Sequence, residues 1–98
     1  MDYKELISSM PVVLVEYFAT WCPHCRRMMP VVEEIRELTA GTAAVAQLDV
    51  DRNAGLCGAE GIDGLPTFVL YSAGREVWRH AGEIDGNCLL RKIQSFTS

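Results

Sequence analysis

Cys22-Pro23-His24-Cys25 sets two thiols three positions apart. Such a pair can close into a small disulfide and reopen. The apolar run Val12 to Phe18 precedes it, and a strongly helical stretch, Arg26 to Leu38, follows. Cys22 therefore falls at the mouth of a helix, where free N–H groups and a partial positive charge favour thiolate over thiol. The thiolate is the attacking species in disulfide exchange, so the motif points to thiol–disulfide redox chemistry. In that chemistry Cys22, at the exposed end, attacks a disulfide. Cys25, one turn deeper, resolves the mixed disulfide. The alternative for two thiols at this spacing is half of a metal or iron–sulfur site, but no second Cys-x-x-Cys is present.

Two nearby residues can tune this pair. If the His24 ring faces Cys22, it stabilises the thiolate, hence the reduced form, and makes the couple more oxidising. Glu16 stands inside Val-Val-Leu-Val-Glu-Tyr-Phe, where a carboxylate is costly unless partnered, hydrated or protonated. Burial there would raise its pKa. Cys57 and Cys88 lack a matching thiol and read as buried, inert side chains. Asp49 and Asp51 read as a strand-end and turn pair rather than a metal site, and His80 as a surface residue.

The elements that must position these groups follow from periodicity. Asp2 to Ser9 has Tyr3, Leu6, Ile7 and Met10 near one face and predicts a short helix that Pro11 ends. Val12 to Phe18, β-branched and aromatic, predicts a strand buried on both faces. Pro23 to Leu38 predicts a helix: Pro23 suits the first position, and Met28, Val31, Val32, Ile35 and Leu38 follow helical spacing. Pro30 is expected to kink it. Ala43 to Val50 predicts a second strand, parallel to the first. A short helix or turn follows over Asn53 to Glu60, then a loop over Gly61 to Pro66. Thr67 to Tyr71 and Glu76 to Ala81 read as a hairpin turning at Ser72-Ala73-Gly74-Arg75. Asp85 can cap a last helix with Leu89, Leu90, Ile93 and Phe96 inward. This order predicts an α/β domain, a mixed sheet with helices on both faces, spanning 1–98 as one unit.

Composition narrows the partners. Ninety-eight residues, 49 % hydrophobic and 22 % charged, suffice for one core without disulfide staples. A net charge of −4 with no basic run argues against nucleic acid and anionic membranes. The longest apolar run is too short to span a bilayer. The N-terminus lacks a basic segment followed by an apolar one, so the chain as given reads as cytoplasmic, or as periplasmic or secreted with a leader already removed.

Taken together, Val15-Glu16-Tyr17-Phe18-Ala19-Thr20-Trp21-Cys22-x-x-Cys25, Pro30, Gly64-Leu65-Pro66-Thr67 and Gly82 resemble the thioredoxin superfamily at the right spacing along nearly the whole chain. The resemblance implies a thioredoxin fold of about four strands, without the extra N-terminal edge strand that members often carry. It implies that Glu16 is the proton acceptor for Cys25 during resolution. Pro66 would be a cis-proline facing Cys22, leaving the Leu65 backbone to pair with an extended substrate segment. Trp21 would shield the thiols and offer a flat contact, and Ile62, Leu65 and Gly82 would complete an apolar rim. Many members place a Lys where this chain has Gln47, which removes an ion pair with the acid. Thioredoxins typically carry Cys-Gly-Pro-Cys. Cys-Pro-His-Cys is similar instead to the periplasmic DsbA-type oxidants, and a His in that slot to protein disulfide isomerases. The implied activity is a thioredoxin-like reductase of protein disulfides with a raised potential; the alternative is a disulfide-donating oxidase or isomerase. Expected partners are protein disulfides and a redox partner such as a thioredoxin reductase, with the chain a monomer needing no cofactor.

Overall fold

Val12–Phe18 forms the central strand β1, and its pleat sorts the whole domain. The computed structural model of the protein describes residues 1–97. Alternate residues of a strand face opposite sides. Val12 and Leu14 join the core under one helical layer, while Val13, Val15 and Tyr17 join the core under the other. All are at most 1 % exposed, as a strand covered on both faces requires.

β2 (Ala44–Asp49) pairs parallel to β1, whereas β3 (Thr67–Ser72) pairs with it antiparallel and β4 (Arg75–Ala81) pairs antiparallel with β3. The sheet is mixed, four-stranded, and ordered β2-β1-β3-β4. β2 is an edge strand, and its side chains are only partly buried or exposed. Ala73 and Gly74 close the β3–β4 hairpin with φ of 53° and 77°, the positive values a tight two-residue turn demands.

Helices α1 (Tyr3–Ile7) and α3 (Ala54–Glu60) lie on the Val13 side, which Tyr3, Ile7 and Leu56 cover. Helices α2 (Pro23–Leu38) and α4 (Gly86–Gln94) lie on the Leu14 side. Met28, Val32 and Ile35 of α2 and Leu89 and Ile93 of α4 are buried there. Each buried side chain of this size contributes about 1.5–3 kcal/mol. Three of them outweigh the roughly 3 kcal/mol that a helix-interior proline costs, and α2 runs continuously through Pro30.

Several details depart from the sequence reading. α1 is two residues shorter at its C-terminal end and is started by an Asp2–Glu5 capping box. A 3-10 turn over Val50–Arg52, capped by Asp49, follows β2 where the pattern predicts a strand end. Leu38 and Phe96, expected inward, are 59 % and 37 % exposed. Phe96 lies beyond the end of α4, off its buried stripe.

Candidate active site

Cys22 is the N-cap of α2, with extended backbone angles, and Pro23 takes the first helical position. Cys25 lies at the third helical position, one turn in. Both sulfurs are free thiols. They sit against Ala19, Phe18, Val50 and Leu65. The motif predicts Cys22 at an exposed end, yet it is 5 % exposed against 2 % for Cys25. It shares one buried cluster with Ala19 and Cys25, against which Phe18, Val50 and Leu65 pack.

The environments of the two thiols push their pKa values apart. At Cys22 burial raises the pKa, but the sum of the other effects outweighs it. Those are hydrogen bonding from the Cys25 side chain, the backbone N–H groups of Cys25 and His24, and the nearby Arg27 charge. The result lies below the ordinary thiol value. As a thiol Cys22 makes no capping bond of ordinary length; its thiolate is the form the open helix end favours. The Cys25 thiol is pushed up to about 12, first by burial and further by its bond to Cys22 and the negative charges of Cys22 and Glu16.

The Leu65–Pro66 peptide is cis. It brings the Leu65 carbonyl to 3.8 Å from Cys22 Sγ, which can donate to it. The Pro66 carbonyl accepts the Gly82 N–H at 2.7 Å, and Gly82 has φ +97°. The proline loop and the loop after β4 are thereby tied together beside the thiols. Ile62 is placed differently from the expected rim: it packs into the core on the Val13 and Tyr17 side. Trp21 is 63 % exposed, so it does not close over the thiols as core, and its indole N–H donates to Asp51 Oδ2 at 2.8 Å.

Glu16 is 1 % exposed and shares the α2 side of β1 with Val12 and Leu14. Burial raises its pKa; a hydrogen bond from Gln47 and the charge of Arg36 work against that rise. Glu16 and Cys25 line one pocket of about 320 Å³, with Phe18, Met29 and Gln47 among its walls. The pocket gives water room to reach both groups.

The His24 ring faces away from the part the motif suggests. Its Nδ1 lies 2.6 Å from Glu83 Oε2, and the same oxygen accepts Arg27 Nε at 3.0 Å and Nη2 at 2.7 Å. His24 acts on Cys22 through its backbone N–H. Glu83, Arg36 and Asp51 have no signal in the motif, because each reaches the site by tertiary contact, whereas Arg27 is brought there by the turn of α2 itself. Cys57 is partly buried, with its pKa raised by burial, whereas Cys88, expected buried, is exposed beside Arg91. Among the described residues no three His, Cys, Asp or Glu side chains are grouped to hold a metal ion, and no helix is long and apolar enough to cross a membrane.

Comparison with known proteins agrees with this geometry. The Thioredoxin family model matches residues 1–95. A thioredoxin of Chlorobaculum thiosulfatiphilum is 34 % identical over 89 residues, covering 91 % of this chain and 82 % of that protein. A bifunctional thioredoxin reductase/thioredoxin of Mycobacterium leprae is 35 % identical over 91 residues, 93 % of this chain and 20 % of that one. The solved structure of a single-site mutant thioredoxin from Halobacterium salinarum superimposes with a TM-score of 0.89 at 39 % identity, over 97 % of this chain and 82 % of that one. With the dithiol at its helix mouth and a mixed sheet of this order, this chain is a thiol–disulfide oxidoreductase and belongs to the thioredoxin family.

Proposed function

We propose that the chain works as a reductase of protein disulfides in which Cys22 attacks and Cys25 resolves. The opposite displacement of the two thiol pKa values carries this assignment of roles, and the match to the Thioredoxin family model supports the reductase direction. The Cys22 thiolate attacks one sulfur of the substrate disulfide, forming a mixed disulfide and releasing the other sulfur as thiolate. Cys25 then loses its proton to Glu16, through water in the shared pocket, and attacks Cys22 Sγ. The substrate leaves as a dithiol, and Cys22–Cys25 becomes a disulfide. The high pKa of Cys25 supports a need for such an acceptor, and burial, which raises the Glu16 pKa, makes its carboxylate a stronger base than an exposed one.

The cis Leu65–Pro66 segment and exposed Trp21 form the surface an extended substrate strand would meet. A thioredoxin reductase is the partner that would recharge the dithiol; one relative joins both names in one chain. A reducing compartment such as the cytoplasm suits this cycle. Reduction of insulin by dithiothreitol, followed as turbidity, tests the reading. Wild type is expected to accelerate precipitation and Cys22→Ser to fall to the uncatalysed rate. Equal rates for the two would reject it.

A further inference from the structure

Glu83 lies 59 residues from His24 in sequence, yet its carboxylate closes onto the first turn of α2. His24 and Arg27 are three positions apart, so they share one helix face. Both reach the same oxygen, Oε2. Arg27 Nη2 is also 2.8 Å from His24 Nδ1. That ring nitrogen can donate to the carboxylate or accept from the guanidinium, and either bond keeps it away from Cys22. The backbone carrying Glu83 is anchored on both sides. The Gly82 N–H is held by Pro66, and the Glu83 carbonyl accepts His80 Nε2 at 3.1 Å. The carboxylate is therefore presented from a loop tied to the cis-proline.

We propose that Glu83 is a positioning residue that sets the redox poise of the Cys22–Cys25 couple, by engaging the His24 ring and the Arg27 guanidinium that would otherwise serve the Cys22 thiolate. The inference rests on the exchange reaction above. Arg27's charge favours thiolate at Cys22, and a carboxylate beside that guanidinium opposes it. The thiolate exists only in the reduced form, so whatever stabilises it shifts the couple toward dithiol and makes the disulfide more oxidising. Glu83 works in the other direction. It damps the oxidising tendency that His24 gives the motif and holds the chain nearer a reductase.

Equilibration with glutathione reads this directly: protein disulfide plus two glutathione thiols gives protein dithiol plus one glutathione disulfide. Wild type, Glu83→Gln, His24→Ala and the double variant are compared. None of the three side chains in the cluster belongs to the buried core, so the substitutions leave it intact. Glu83→Gln is expected to raise the equilibrium constant about three- to fivefold, the scale of exposed charge pairs. That is about 14–21 mV for a two-electron couple. His24→Ala is expected to change wild type by less than about twofold and to remove a large part of the rise in the Glu83→Gln background. The pH profile of Cys22 alkylation in Glu83→Gln should move down in parallel. An unchanged or lower constant for Glu83→Gln, or equal effects of His24→Ala in both backgrounds, overturns the proposal. Wild type that never equilibrates with glutathione overturns the exchange reading as well, which separates the two failures.

Discussion

Gln47 stands directly across the parallel ladder from Glu16, and its side-chain N–H donates to Glu16 Oε1 at 2.9 Å. The other end of the same amide accepts Arg36 Nη2 at 3.1 Å. Arg36 is anchored by the Val45 carbonyl and by Glu33. A neutral amide thus stands between the guanidinium and the buried acid, where many family members place a Lys. Both partners lower the Glu16 pKa against burial. The cation lies one side chain further from the acid, so its effect is weaker than that of a direct ion pair.

Removing this support should move the proton transfer. Gln47→Leu and Arg36→Met are each expected to raise the Glu16 pKa, and Gln47→Lys to lower it. The pH midpoint of mixed-disulfide resolution, followed by rapid mixing, should shift upward in the first two and downward in the third. An unmoved midpoint in all three would separate Arg36 and Gln47 from the acid's function.

Glu16 itself should exchange stability for chemistry. Its folded pKa is raised above the ordinary 4.5, so the folded chain binds the proton more tightly than the unfolded one. Its favourable contribution is complete below pH 4.5 and is lost as pH rises through the folded value. Glu16→Gln is therefore expected to be more stable than wild type at about pH 7, with the gap closing in acid. Thermal melts should show about 4–8 °C for each 1 kcal/mol relieved. The same variant should resolve the mixed disulfide about a hundredfold more slowly or worse, the scale of lost acid–base catalysis, while the first attack is nearly unchanged.

Cys25 favours the Cys22 thiolate through its side-chain hydrogen bond. Cys25→Ala removes that donor, and Cys25→Ser keeps an O–H in its place. The alkylation profile of Cys22 is expected to move to higher pH in the alanine variant and to stay close to wild type in the serine variant. Both should accumulate a stable mixed disulfide with substrate, visible by mass spectrometry.

Gly82 holds φ +97° with nothing within 4 Å of where a Cβ would stand. Gly82→Ala should therefore cost backbone strain alone, about 1–2 kcal/mol. A melting temperature equal to wild type would show that the loop relaxes, and its bond to Pro66 with it.

Much of the scaffold is legible in the sequence because its signals are local. Val12–Phe18 can be read from a run of β-branched residues, and Pro23–Leu38 from helical spacing behind a proline suited to the first turn. The 3-10 turn at Val50–Arg52 is not legible: it depends on the Asp49 side chain turning back onto the Asp51 N–H. The exposure of Phe96 depends on where α4 stops, a matter of one turn at a chain end. The exposure of Cys88 is legible only through its neighbours, since a lone cysteine carries no periodic signal of its own. It lies opposite the buried stripe of Leu89 and Ile93, next to the capping Asp85.

The division at the site has one physical cause. A helix mouth and a three-residue spacing are short-range geometry, so the sequence alone determined that Cys22 and Cys25 meet at the start of α2. What surrounds them is long-range. Arg36 reaches Gln47 across α2 and β2, Asp51 holds Trp21, and Glu83 takes the His24 ring. These contacts join residues that only the parallel pairing of β1 and β2, the packing of α2 on the sheet and the tie between Pro66 and Gly82 bring within hydrogen-bond distance. Electrostatic effects fall with distance and burial rather than with sequence separation. The chemistry of the pair was therefore written in four residues, and its tuning was decided by the fold.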